Sequence, residues 1–288
     1  MSDPQFKSLL ESFESTNVDK FSALFEVKQS TYTSGNGIDQ IGLHILVPRS
    51  LSDAQRQQPR PLVIKIHGGY LVVQVDLEQT LLLGESAGGY LAMQLALSYP
   101  SDIHGLIALY PMLDPQSEFY TACYQKPFHG VQNRPMSVID DHLNTLQSTP
   151  RDQRKPVTEV DVLSRLELSF AIVQNGRIHE FLGNDDQRLF PIQRLLDEGD
   201  ADALHQGAKL PPMFLFHGRE DSVVPHQGTI PFAETLGKSR PLARYHLQIQ
   251  PGDHGFDADA SVDTTGWLKR GLDFVTAEWL KAEKITTP

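Results

Sequence analysis

Residues 84 to 88 read Gly84-Glu85-Ser86-Ala87-Gly88, directly after the apolar run Leu81-Leu82-Leu83. A serine between two glycines at this spacing is the pattern of a nucleophile elbow, a sharp strand-to-helix turn that exposes the hydroxyl. Such a turn strains the serine backbone, so the positions two residues away must lack bulk, and glycine meets that need. The stretch from Gly89 to Leu97 is rich in strong helix formers, and a helix N-terminus at this point favours a developing negative charge. The chemistry these residue types could do is acyl transfer, with Ser86 attacking the substrate. The pentapeptide alone also fits an ordinary Gly-rich turn, so the reading depends on partners elsewhere in the chain.

A serine hydroxyl is a weak nucleophile until a base takes its proton and an acid orients that base. In sheets of this design the partners follow on loops after later strands, in the order serine, acid, histidine. Two loops supply them. Pro212-Met213-Phe214-Leu215-Phe216 reads as a buried strand and leads into His217-Gly218-Arg219-Glu220-Asp221, which nominates Asp221. A strand over about Ala243 to Ile249 leads into Gly252-Asp253-His254-Gly255-Phe256, which nominates His254. The interval between Asp221 and His254 accommodates one helix, about Gln227 to Leu236, and one strand. Glu220 is an alternative acid if the loop is shifted by one position. Asp253 reads as a solvated loop acid, because adjacent residues rarely point together.

The oxyanion formed in acyl transfer needs preorganised N–H donors, each contributing about 2.7–4 kcal/mol. Ala87, the residue after the nucleophile, is one candidate. Gly68 and Gly69 in His67-Gly68-Gly69-Tyr70 are the others, since glycine lets backbone approach substrate closely. His67 and His217 read as structural residues at strand ends. No H-E-x-x-H motif or Cys/His cluster suggests a metal, and no Gly-rich phosphate loop follows a strand, so no cofactor is expected.

The elements that must position these residues can be traced along the chain. Leu9, Leu10 and Phe13 lie at helical spacing within Ser8 to Phe13. Phe25 to Thr33 and Ile41 to Val47 flank the turn-rich Ser34-Gly35-Asn36-Gly37 and read as a hairpin. Pro61 to Ile66, Thr80 to Leu83 and Ile103 to Tyr110 read as buried strands. From 114 to 210 polar runs alternate with amphipathic pieces such as Val162 to Val173 and Arg188 to Leu196, the pattern of a cap inserted between core strands. A closing helix carries Leu268, Leu272, Val275, Trp279 and Leu280 on one stripe. Strands alternating with helices predict an α/β fold with a doubly wound, mostly parallel sheet.

The chain resembles the α/β-hydrolases, and within them the hormone-sensitive-lipase-like esterases and lipases. The residues that carry the resemblance are His67-Gly68-Gly69, Gly84 to Gly89, Tyr110-Pro111-Met112-Leu113-Asp114, His217 to Asp221 and Gly252 to Phe256. The resemblance implies Ser86 as nucleophile, Asp221 as acid and His254 as base, with Gly68, Gly69 and Ala87 around the oxyanion. It also implies a single domain over 1–288, capped by residues 1–20 and 114–210. Two departures stand out. Tyr70 occupies the place of a third glycine. Gly69 and Gly84 are 15 positions apart, where the family places a helix, a strand and another helix. A parallel pair needs a crossover of about a dozen residues, so the sheet is expected to lack one core strand and its flanking helices beside the first hairpin. A truncated gene model or splice form would produce such a gap.

At 288 residues, 40% apolar and 8% aromatic, the chain can bury a substantial core. Its net charge of -11 argues against nucleic acid or an anionic membrane as partner. No apolar run reaches the length of a membrane span, and the first residues lack a secretory pattern. Cys123 is the sole cysteine, which excludes an intrachain disulfide. The expectation is a cytoplasmic serine hydrolase acting on a small-molecule carboxylic ester. Amide or formamide hydrolysis by the same triad is the nearest rival, and a catalytically impaired binding protein is the rival from another class.

Overall fold

The computed structural model describes residues 4–8, 23–33, 40–52, 62–66, 79–150, 153, 162–183, 186–197 and 209–280. In chain order the elements are β1 (Phe25–Thr33), β2 (Gln40–Pro48), β3 (Leu62–Ile66), β4 (Thr80–Glu85), α1 (Ala87–Ser98), β5 (Gly105–Leu109) and α2 (Glu118–Thr121). They continue with α3 (Ser137–Ser148), α4 (Val162–Gln174), α5 (Ile178–Leu182), α6 (Pro191–Leu196), β6 (Met213–Gly218), α7 (Thr229–Ser239), β7 (Tyr245–Gln250) and α8 (Gly266–Trp279). The chain folds as two compact units, one of residues 1–59, 69–73 and 125–174, the other of 60–68, 74–124 and 175–288.

The second unit holds a sheet of five parallel strands in the order β3-β4-β5-β6-β7. β6 is buried throughout and β4 nearly so, which is why both read as unbroken apolar runs rather than as alternating strands. Leu81, Ile107, Phe214 and Phe216 form the floor of a core that Val275 and Trp279 of α8 close from one face. Trp279 also donates its indole N–H to the Gln79 carbonyl at 2.9 Å, tying the closing helix to the start of β4. Burying these side chains contributes roughly 1.5–3 kcal/mol each. α1 buries Tyr90, Ala92, Met93, Ala96 and Leu97.

Successive parallel strands bring their carboxyl ends into line. The register pairs Glu85 with Leu109, Leu109 with Phe216 and Gly218 with Gln250. Ser86, Tyr110, the loop after Gly218 and the loop after Gln250 therefore emerge along one edge, the place where open α/β sheets bind ligands.

The first unit contains the β1–β2 antiparallel hairpin, paired from Phe25↔Pro48 to Thr33↔Gln40. Phe6, within the helical residues 4–8, packs edge-on to Phe170 of α4 with centroids 6.0 Å apart, and Phe128 meets the same ring at 5.0 Å. Gln174 knits this unit together, accepting from Arg134 N at 2.8 Å and donating to the Lys126 carbonyl at 2.8 Å.

Several expectations change in detail. The helical residues at the N-terminus are 4–8, and Leu9 to Phe13 lie outside the described residues. The stretch from Arg188 to Leu196 is a 3-10 turn at Gln187–Leu189 followed by α6, because Pro191 sets a new helix start. The expected shortened core is what the sheet order displays: β3 and β4 pair directly. Residues 70–78, which connect β3 to β4 along with 67–69, lie outside the described residues.

Candidate active site

Ser86 stands between β4 and α1 with φ 56° and ψ -122°, a left-handed region that a non-glycine residue rarely adopts. Its N–H donates to the Leu109 carbonyl at 2.9 Å and its carbonyl accepts from Tyr90 at 3.2 Å, so both neighbouring elements hold the strained turn. The hydroxyl makes no capping bond to α1 and is left for other work. The glycines of the motif are packing requirements. A Cβ on Gly84 would lie 2.3 Å from the Gly88 carbonyl oxygen, and one on Gly89 would lie 2.7 Å from Pro111 Cβ. Ala87 is the first residue of α1, and the first N–H groups of a helix have no intrahelical acceptor.

Asp221 and His254 meet. His254 Nδ1 lies 2.8 Å from Asp221 Oδ2, with both side chains largely out of solvent. Oδ1 of the same carboxylate accepts from Val223 N at 2.9 Å and Val224 N at 2.7 Å. Burial would raise the Asp221 carboxyl, but hydrogen bonds from His217 and His254 together with the charge of His254 outweigh it and hold the group well below the usual carboxylate range. Asp221 is therefore an acceptor throughout the neutral range.

The two loops are zipped to each other before they reach these residues. Arg219 N donates to the Gln250 carbonyl at 2.7 Å, and Glu220 N to the Gly252 carbonyl at 3.1 Å. Glu220 Oε2 accepts Gly252 N at 2.6 Å, so the alternative acid serves as a loop clamp. Asp253 Oδ1 accepts from Ser222 N at 2.7 Å, from the Ser222 hydroxyl at 2.9 Å and from His254 N at 2.8 Å. That occupation turns Asp253 toward Ser222. Gly252 has φ 132°, and its missing Cβ makes room for Phe256, where a Cβ would come within 2.4 Å.

Two neighbours were not legible as site residues. Tyr110, with φ 37°, sets its ring edge-on to His254 at a centroid distance of 4.4 Å. Burial, reinforced by the charges of Asp257, Glu85 and Asp221, pushes its phenol far above the ordinary range. His217, taken from sequence as a packing residue, is fully buried against Asp221, Val224 and Thr229. Gly68 and Gly69 lie outside the described residues, as does His67. A cavity of about 420 Å³ opens beside the acid loop, lined by Leu113, Asp114, Tyr120, Val224, Pro225 and Gly228 among others.

The family model described as alpha/beta hydrolase fold matches residues 65–256, which span all three of Ser86, Asp221 and His254. The chain belongs to the α/β-hydrolase family. Among curated relatives, a probable carboxylesterase M8 of a Phoma species is 27% identical over 217 residues, covering 71% of this chain and 61% of that protein. A probable carboxylesterase clz11 of Cochliobolus lunatus is 27% identical over 164 residues, covering 52% of this chain and 65% of that protein. This chain thus spans under two thirds of the length of either relative. Among solved structures, carboxyl esterase 2 of the fungus Tuber melanosporum superposes with a TM-score of 0.51 at 15% identity, covering 96% of this α/β-hydrolase and 100% of that chain, a likeness of fold. Among the described residues no helix is long and apolar enough to cross a membrane.

Proposed function

We propose that this α/β-hydrolase cleaves carboxylic esters of small molecules through an acyl-enzyme on Ser86. The observation that carries the reading is the 2.8 Å contact of His254 Nδ1 with Asp221, on the same strand-end edge as a serine held at φ 56°. His254 takes the Ser86 proton through Nε2 as the hydroxyl adds to the ester carbonyl, and returns it to the departing alcohol. Water then enters, gives its proton to His254 and releases the acid. Asp221 orients the imidazole and stabilises the imidazolium. Ala87 N–H, together with Gly68 and Gly69, would receive the oxyanion. The names of the Phoma and Cochliobolus relatives support an ester rather than an amide as substrate. We assign residues 1–20 and 114–210 the role of the cap, and place the protein in the hormone-sensitive-lipase-like branch and in the cytoplasm.

The test is hydrolysis of p-nitrophenyl esters by the wild type and by Ser86→Ala, alongside labelling with a fluorophosphonate probe. The expected result is turnover and labelling that both vanish in the variant. Esterase activity that survives Ser86→Ala would overturn the assignment, and faster turnover of matched anilides would favour amide hydrolysis.

A further inference from the structure

We infer that His217 is a positioning residue for the catalytic acid, sharing Oδ2 of Asp221 with His254 and so setting how firmly that carboxylate holds the base. The inference rests on the Ser86–Asp221–His254 reading and adds a fourth side chain to it.

The geometry assigns the proton on His217. Its Nε2 faces two groups that can only accept, the Val224 carbonyl at 2.7 Å and Asp221 Oδ2 at 3.3 Å. Nε2 therefore carries the hydrogen, which it donates to Val224 while lying beside Asp221 Oδ2. Nδ1 lies 2.9 Å from Thr229 Oγ1 and takes the hydroxyl hydrogen. Both the His217 and Asp221 side chains are 0% exposed, so water does not compete for these bonds. The imidazole spans the turn that begins with the acid. It holds the acid at Asp221, the far wall of the turn at Val224, and the start of α7 at Thr229.

Sharing has an electrostatic consequence. A carboxylate oxygen that pairs with one imidazole while the N–H of a second lies beside it has part of its charge offset by that second ring. His254 therefore receives less of it than it would alone. Removing the His217 donor concentrates the Asp221 charge on His254 and favours its imidazolium. The acid limb of kcat/KM, which follows loss of the proton from the base, then moves to higher pH. Other ionisable groups face this cluster. Tyr110 and Tyr120 are both pushed up by burial and by Asp221, and they stay neutral through the working range. Burial pushes His226 down, its ring lies 6.3 Å from that of His217, and Asp253 accepts the backbone N–H of His254. A limb that moves on substituting His217 alone isolates the His217 contribution from these neighbours.

The experiment compares kcat/KM profiles between pH 5 and 9 for wild type, His217→Leu, His217→Gln and Thr229→Val, on a p-nitrophenyl ester. The leucine variant is expected to lose tenfold or more in kcat at neutral pH with KM little changed, and to show the acid limb displaced upward. Glutamine places an amide N–H near the position of the imidazole Nε2 and should return the limb toward wild type. If His217→Leu does not fold, Thr229→Val, which removes only the hydroxyl that fixes the ring, must show a smaller displacement in the same direction. Coincident limbs in all folded variants, or a loss of kcat that glutamine does not restore, would overturn the inference. A wild type that neither turns over esters nor labels at Ser86 would instead overturn the hydrolase reading on which it rests.

Discussion

Tyr110 lays the edge of its ring on His254 with centroids 4.4 Å apart. The contact originates in the sheet. Leu109 of β5 accepts the Ser86 N–H, and Tyr110, the next residue, turns to φ 37° and donates its own N–H to Phe216 of β6 at 2.7 Å. One short segment therefore touches the serine, the acid's strand and the histidine ring. An aromatic pair of this kind contributes about 0.5–1.5 kcal/mol. Tyr110→Ala should lower kcat by up to about tenfold while the fold persists. Tyr110→Phe keeps the ring and should stay within a few-fold of wild type. Steady-state kinetics on the two variants, with melting curves as control, check this.

Gly84 has no room for a methyl group. A Cβ there would meet the Gly88 carbonyl oxygen at 2.3 Å and Ala92 Cβ at 2.9 Å, both on rigid helical backbone or its first side-chain atom. Gly84→Ala must push α1 off β4, an overpacking cost of about 1–3 kcal/mol. The expected outcome is a melting temperature lowered by several degrees and a larger loss of activity than of structure, because the displaced helix start also carries Ala87. Thermal denaturation followed by circular dichroism, paired with ester turnover, measures both.

The parts of this arrangement visible in the sequence are those fixed by local pattern. Ser86 sits between glycines, Asp221 follows an apolar run that reads as a buried strand, and His254 follows a second strand-like segment, Tyr245 to Gln250. Their order alone places them on one edge. What remained hidden depends on tertiary contact. Nothing around His217 distinguishes a packing histidine from one aimed at a carboxylate, because the direction of a strand-end side chain is set by what lies across it, here Thr229 and Val224. Tyr110 carries no turn signature, and its positive φ follows from the demands of β5 and β6. The contact of Phe6 with Phe170 joins residues far apart in the chain, with no periodicity to announce it.

The Asp221 carboxyl supplies a pH test of stability. Its folded-state value is depressed below the unfolded value of about 3.9. The folded state therefore releases this proton more readily, and stability from Asp221 is fully present above the unfolded value and is lost as pH falls toward the folded one. Denaturant melts of the wild type between pH 6 and 2 should show stability declining through the acid range. Asp221→Asn cannot titrate and should flatten that part of the decline, although its stability at neutral pH is lower. Parallel acid slopes for the two proteins would count against the depressed carboxyl.

Tyr120 presents the opposite case, a polar group that weakens the fold. The residue is 4% exposed, and its hydroxyl has no hydrogen-bond partner among the described residues. Burial, with Asp221 and Asp114 adding to it, raises the phenol well above its ordinary range, so the group persists as a neutral, unpaired hydroxyl. Leaving such a group unsatisfied costs about 1–3 kcal/mol. Tyr120→Phe keeps the ring that lines the cavity and removes the orphan oxygen. The variant should melt higher by an amount corresponding to about 1 kcal/mol, with kcat unchanged within a few-fold. If melting falls instead, the hydroxyl is bonded in solution, and a matching drop in kcat would show that bond to reach the Asp221 loop.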